Sequence, residues 1–333
     1  MKIVIIGGSF GVLSLAYELG RLLPSNKYYI TLIAKERRFV FIPSLPWVAT
    51  GAKTIEQISF DLEGPLARKG IRFVHDTVRQ IDAISQKVLS PKTEYAYDYL
   101  VIATGHRSAN EVVPGLGPFD GPGHSLMSPP EADEAGEALI KFLQNPGPMV
   151  LGCAQGASCL GPAYEFAFEI HYLLKHRRIR HKVPITFVTP EPFLGHFGIG
   201  GLGKIRQFLE GEFEERDIRY RTSTAISRIT DISVELVDGH QIESSYSLIL
   251  PPLGGVKAIS DSSGLGNPKG FVPVDEHYRH KDFPNIYAVG VAVALPPVEE
   301  TLVPVNFPKS GHMTEQMALV AAHNLAADIQ GGE

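Results

Sequence analysis

The chain opens on an unbroken apolar run, Ile3-Val4-Ile5-Ile6, which reads as a strand buried on both faces. Gly7-Gly8-Ser9-Phe10-Gly11 breaks it, and from Val12 to Leu23 apolar residues return at helical spacing (Leu15, Leu19, Leu22, Leu23). Pro24-Ser25-Asn26 stops that helix, and Tyr28 to Ile33 is the next strand. A strand, turn, helix and strand within about 30 residues make a βαβ unit with a right-handed crossover. The pattern recurs: Pro148 to Leu151 is a strand, Gly152 to Gly161 a small-residue turn, Pro162 to Lys175 a helix and Pro184 to Val188 the returning strand. Tyr97 to Gly105 and Pro284 to Gly290 are strands that each run into a small-residue turn, and Gly311 to Ile329 is the last helix. The expected fold is α/β, with two Rossmann-like dinucleotide-binding domains, the first interrupted by the second. Gly- and Pro-dense segments at Pro114 to Gly123 and Gly264 to Phe271 mark the crossings. They divide the chain into residues 1–113 with 272–333, and residues 114–271.

Composition narrows the classes. With 333 residues, 44% hydrophobic and 20% charged, the chain can bury two cores and is not disordered. The net charge is −5, and no strong basic block is read in it, so nucleic acid is not an expected partner. The longest nearly apolar run, Ile286 to Val298, is too short to span a bilayer, and the N-terminus lacks a signal peptide's features. A cytoplasmic protein is expected. Two cysteines cannot staple a chain of this size and are either buried thiols or chemistry. No spacing matches a metal site, and no Ser-His-Asp elbow is present.

The first glycine turn places Gly7 where a dinucleotide fingerprint begins, with Ser9 and Val12 in the second and third glycine places. Such a turn lets backbone N–H groups approach a pyrophosphate, although a generic tight βα turn also accounts for it. Glu36, after Lys35, is the nearest candidate to hold a ribose, and a solvated surface charge is the plainer reading. The second turn, Gly152 to Ala157, has no acid at the matching place; its partner strand ends Val188-Thr189-Pro190-Glu191, which argues poorly for a nicotinamide. Cys159 precedes a helix whose dipole favours a thiolate; the alternative is a buried structural thiol. Cys153 lies six residues earlier, and a disulfide between the two is left open. His196, in a glycine-rich loop, is a candidate proton donor or an idle loop residue, and Lys309 a candidate countercharge or a solvated lysine.

Several of these segments resemble the sulfide:quinone oxidoreductases, relatives of the type II NADH dehydrogenases. They are Gly7 to Gly11, Phe41 to Trp47, Ala103-Thr104-Gly105, Gly156 to Phe166, Phe193 to Gly198, Pro296 to Glu299 and Pro308 to Gly311, in order along nearly the whole chain. The resemblance implies non-covalent FAD in the first domain. Gly7, Gly8, Ser9, Phe10 and Gly11 would face its pyrophosphate, Lys35, Glu36 and Val78 would contribute to its binding, and Thr104 and Gly105 would flank it. Gly290 and Val291 would lie near the ribityl chain, Lys309 beside the pyrimidine edge, and Pro43 and Tyr164 at the ring's border. Cys159 matches the cysteine on the sulfide side, and Glu165 and His196 would handle protons. Sulfide or a small thiol would be the donor and a quinone or another molecule the acceptor, with at most peripheral membrane contact; homo-oligomerisation is compatible with it. The chain departs from the family in two places: Ser125 to Ser128 replaces an expected cysteine, and a further cysteine, quinone-site aromatics and amphipathic membrane helices belong to a segment beyond Glu333. Cys153 is then the intrachain substitute for a partner of Cys159. Two other readings stand beside this one: an NAD(P)H-dependent flavin reductase, and a flavin-binding protein without sulfide activity.

Overall fold

A computed structural model describes residues 1–24, 27–117 and 121–331. Ser25 and Asn26 of the expected turn, residues 118–120 of the first linker and the last two residues lie outside them. The main elements in chain order are β1 (Lys2–Ile6), α1 (Phe10–Leu22), β2 (Tyr29–Ala34), α2 (Leu45–Ala49), β3 (Arg72–His75), β4 (Tyr99–Ile102) and β5 (Gly123–His124). After these come α3 (Pro129–Phe142), β6 (Met149–Cys153), α4 (Gly161–His176), β7 (Ile185–Val188), α5 (Ile205–Glu215), β8 (Ile218–Arg221), β9 (Tyr246–Leu250), β10 (Ile286–Ala288) and α6 (Gly311–Gln330).

Two five-stranded parallel sheets organise the chain, in the orders β10-β4-β1-β2-β3 and β5-β9-β6-β7-β8. In each, the first strand of a βαβ unit is central, and the order reverses beside it, which is where α/β folds open a ligand crevice. Strand β10 and helix α6 come late in the sequence yet complete the first sheet: α6 buries Met317, Ala321 and Leu325 in the same core as Leu15 and Leu19 of α1. Each such leucine contributes about 2 kcal/mol by leaving water. The α/β fold expected from the pattern is therefore the fold observed.

The predicted elements are present, with ends displaced by a few residues. Helix α1 begins at Phe10 rather than Val12, because the last residues of the glycine turn are already wound into it. Helices α3 and α5 and the small antiparallel sheets at Gln80–Ala96 and Ile226–Glu243 were not expected; their short polar-interrupted patterns carry a weak periodic signal. Among the described residues no helix is long and apolar enough to cross a membrane, and no group of metal-binding side chains gathers.

Candidate active site

The two glycine turns look alike in sequence and differ in how their backbone is tied to the rest of the fold. At the first, Gly7 has φ +131°, and a Cβ there would stand 2.2 Å from the Ala103 carbonyl oxygen. Strands β1 and β4 can close together at this point because Gly7 has no side chain. Ser9 is the N-cap of α1 but does not cap it with its hydroxyl, and no acid occupies the first turn. No group among the described residues accepts a hydrogen bond from the N–H of Gly8, Ser9, Phe10 or Gly11. Helix α6 shows the contrast, since its N-cap Ser310 accepts from the Met313 N–H at 3.3 Å. The start of α1 thus keeps free donors and a positive dipole end.

At the second turn part of the backbone is tied, although the N–H groups of Gln155, Ser158, Cys159 and Leu160 find no acceptor among the described residues and α4 also starts without a side-chain cap. The Gly156 N–H donates to the Pro304 carbonyl at 2.6 Å, the Ala154 N–H to Leu250 and the Ala157 N–H back to Ala154. Asn306 donates from Nδ2 to the Gly156 carbonyl at 2.6 Å and from its own N–H to Ala157 at 3.1 Å. Gln155 is tied at both ends to the backbone of Ile226. Glu191, at the end of β7, is buried. Its carboxylate accepts from the Tyr164 hydroxyl (2.6 Å), the Thr189 hydroxyl (2.7 Å) and the Phe197 N–H (2.8 Å), while burial pushes its pKa up. It turns inward and offers nothing to a ribose.

A cavity of about 960 Å³ opens at the first turn. Ser9, Phe10 and Gly11 form one end, with Glu36 beside them; Thr104, Gly105, His106, Gly290, Val291 and Lys309 line its length. Two of its polar atoms, Thr104 Oγ1 and Asn110 Oδ1, are buried without a hydrogen-bond partner. A buried polar atom left unpaired is costly, so the wall suits a long ligand with polar groups along it. A second cavity of about 890 Å³ shares Arg107 and Lys309 with the first and is walled by Gly156, Ser158, Phe271, Pro296, Pro297 and Phe307, among others. The Lys309 Nζ donates to the carbonyls of Val291 (2.9 Å) and Val293 (2.8 Å) and stands 3.8 Å above the Phe271 ring. Burial pushes Lys309 down to about 8, and burial together with the Lys309 charge pushes His106 down to about 4. His106 was not singled out from the sequence, although it follows Ala103-Thr104-Gly105 directly.

Cys159 is half-buried just ahead of α4, and burial pushes its thiol up to about 11. The expected preference for thiolate is therefore reversed. Cys153 is fully buried, and both cysteines are free, so no disulfide joins them. In the loop after β7, the His196 Nδ1 accepts from the Gly198 N–H at 3.1 Å. Its proton then lies on Nε2 and is donated to Glu299 Oε1 at 2.7 Å. Residues 304–309 form a seam that gathers these elements: they fasten the cysteine turn, lie against the His196 loop, where a Cβ on Gly198 would meet the Asn306 carbonyl at 2.6 Å, and carry Lys309.

Other expected positions fall elsewhere. Gly7 and Gly8 pack behind the first cavity against Ala103 and Ala34, and Lys35 is exposed outside it, paired with Glu36 at 3.5 Å. Val78 packs into a separate core cluster. Pro43 is exposed, and its neighbour Ile42 is the residue that lines the wall. Tyr164 belongs to the second sheet's core, 4.7 Å from Phe187 and 5.4 Å from Phe197 between ring centres, because its hydroxyl is required by Glu191. Glu165 is half-buried on α4 with its pKa raised by burial, and it lines neither cavity; nor do Cys159 and His196.

Two parallel sheets with paired glycine turns define the fold of a pyridine nucleotide-disulphide oxidoreductase, and a profile of that description matches residues 1–140. The sulfide-quinone reductase of Aquifex aeolicus is 38% identical over 98% of this chain and 76% of its own length. The crystal structure of that bacterium's sulfide:quinone oxidoreductase superposes with a TM-score of 0.93 at 37% identity, covering 99% of this chain and 77% of the other. A type II NADH:quinone oxidoreductase of Staphylococcus aureus is 22% identical over 99% of this chain and 82% of its own length. The chain belongs to the sulfide:quinone oxidoreductase family.

Proposed function

We propose that this protein is an FAD-dependent oxidoreductase that takes electrons from sulfide at Cys159 and passes them to an acceptor of the quinone class. The cavity at the uncapped start of α1, with two unpaired buried polar atoms in its wall, carries the cofactor, and the 38% identity to a sulfide-quinone reductase supports the donor. The named relatives of both kinds share quinone and differ in donor, sulfide or NADH. In this chain the turn that would take NADH has its Gly156 N–H held by Pro304 and its Gly156 and Ala157 carbonyls held by Asn306, and Glu191 is committed to Tyr164. The apolar wall of the second cavity, with Phe271, Leu295 and Phe307, suits a quinone ring.

Non-covalent FAD fits the first cavity and supplies a ring that accepts two electrons. The amides of Gly8, Ser9, Phe10 and Gly11 would hold its pyrophosphate, Glu36 its ribose, and Thr104 and Asn110 would regain partners. Lys309 places a cation at the wall between the cavities. Cys159 would supply the sulfur next to Ser158, which lines the second cavity. His196 holds a proton on Nε2 against the half-exposed Glu299, a route to water, and Glu165, with its raised pKa, retains a proton closer to neutrality. The two sheets support a division into residues 1–113 with 272–333, and 114–271. Among the described residues no helix is long and apolar enough to cross a membrane, which is compatible with peripheral contact with the bilayer that would hold the acceptor.

Anaerobic titration tests this reading. Sulfide is expected to bleach the yellow FAD-loaded protein stoichiometrically and NADH to leave it unchanged; bleaching by NADH alone overturns the donor, and failure to retain FAD overturns the cofactor. Gly7→Ala is expected to lower stability by at least about 2 kcal/mol and to release FAD, because its methyl meets a backbone carbonyl at a positive φ. Urea unfolding and the FAD content after gel filtration check it.

A further inference from the structure

The helix after the cysteine turn ends in a run that the overall charge conceals. From His171 to Lys182 the chain carries five Lys or Arg (Lys175, Arg177, Arg178, Arg180, Lys182), three histidines and no acid, within a chain of net charge −5. The expectation of no basic block fails here. One basic side chain answers the partial negative charge at a helix C-terminus; five exceed it. Arg178 turns the chain at φ +59°, and a short 3-10 turn at Arg180–Lys182 folds the run back, so the cations bunch around an open cleft of about 440 Å³. Its basic wall is His171, Lys175, Arg178, Arg180, His181 and Arg216.

The charges there are poorly answered. Arg180 is spent on neutral acceptors, the carbonyls of Val183 (2.6 Å), Arg216 (2.7 Å) and Asp217 (2.7 Å), and its Nε–H donates to His171 Nδ1 at 3.2 Å. Arg216 is paired with Glu212 at 2.9 Å and lies 3.9 Å from Glu215, which with Asp217 supplies the acid at the cleft. Lys175 and Arg178 are exposed and make no ion pair among the described residues. Burial first, and then the neighbouring charges of Arg180, Arg216 and Lys175, push the His171 pKa down.

We propose that this cleft is a phosphate-binding site, taking the phosphate of a soluble phosphorylated molecule or of a lipid headgroup. Arg180, locked by its carbonyls, forms the fixed floor, and Lys175, Arg178 and His181 supply the adjustable donors. The site stands apart from the cavities already described and does not depend on the donor assigned to them. The FAD-loaded protein should be titrated calorimetrically with inorganic pyrophosphate and sedimented with phosphatidylcholine vesicles with and without phosphatidylglycerol, each at low and high salt. Wild type is expected to bind in a salt-sensitive manner. Binding to pyrophosphate assigns a soluble ligand; binding only to vesicles containing phosphatidylglycerol assigns a headgroup. Lys175→Glu with Arg178→Glu is expected to weaken binding roughly 25-fold, about fivefold per cation, with FAD content and melting unchanged. Should that pair fail to fold, Lys175→Gln with Arg178→Gln carries the same comparison. Binding of neither probe, equal binding by wild type and variant, or capture of duplex DNA with neither probe bound overturns the site.

Discussion

Cys159→Ser is expected to abolish bleaching of the bound FAD by sulfide, slowing it by at least about a thousandfold, while the FAD content stays at its wild-type level. The cysteine sits in a turn anchored by Pro304 and Asn306 and is half-buried, so serine keeps the volume and removes the sulfur. Its ionisation gives a second readout. The helix dipole is worth about 0.3–1 kcal/mol toward the thiolate, whereas a rise from 9.0 to about 11 is on the order of 3 kcal/mol toward the thiol. Burial prevails. Because a raised pKa keeps the neutral form until higher pH, alkylation of Cys159 by iodoacetamide should keep climbing through pH 9 instead of levelling there. Cys153, fully buried and with its thiol pushed well up by that burial, should stay unlabelled in the folded protein. Wild-type bleaching by the serine variant would show Cys159 to be a packing residue.

Lys309→Met is expected to slow FAD reduction by sulfide roughly a hundredfold and, in the FAD-free protein, to change how stability responds to pH. The lysine carries its charge inside the fold against two carbonyls and a phenyl face, with no carboxylate bound to it. Its depressed pKa means that the folded chain releases the proton near 8, while the unfolded chain holds it to about 10.5. Between those values the unfolded state binds more protons, so wild-type stability relative to the variant should rise with pH from about 8 and gain on the order of 3 kcal/mol by 10.5. Below about 8 that contribution is absent. Urea midpoints of both proteins at pH 7 and 9.5 measure it. Parallel profiles would place the Lys309 charge in water rather than in the wall.

These two residues also show where the sequence was informative. The βαβ units were legible because uninterrupted apolar runs, glycine turns and helical spacing agree at each of them. Cys159 and Lys309 stood out by chemistry, but the state of each is set by burial, which no spacing reveals. Tyr164 could have been placed: with Ala167, Ile170 and Leu174 it forms the buried stripe of α4, and that period belongs to the core. Glu191 was discounted as a ribose partner, and its ties to Tyr164, Thr189 and Phe197 give the reason, one that lies 27 residues away across the fold. His106 and Asn306 were missed because each gains its role from a neighbour distant in sequence, Lys309 for the first and Gly156 for the second. The basic run from His171 was hidden by a whole-chain charge that averages it away.

The seam at residues 304–309 bears on how donor preference could be redesigned. An engineer seeking a nicotinamide-using enzyme would ordinarily graft an acidic hook onto the end of β7, but here a strap at Pro304 and Asn306 already holds the Gly156 N–H and the carbonyls of Gly156 and Ala157. Clearing it means cutting the same stretch of backbone that carries Lys309, so a gain of the new donor would come with displacement of the cation between the cavities.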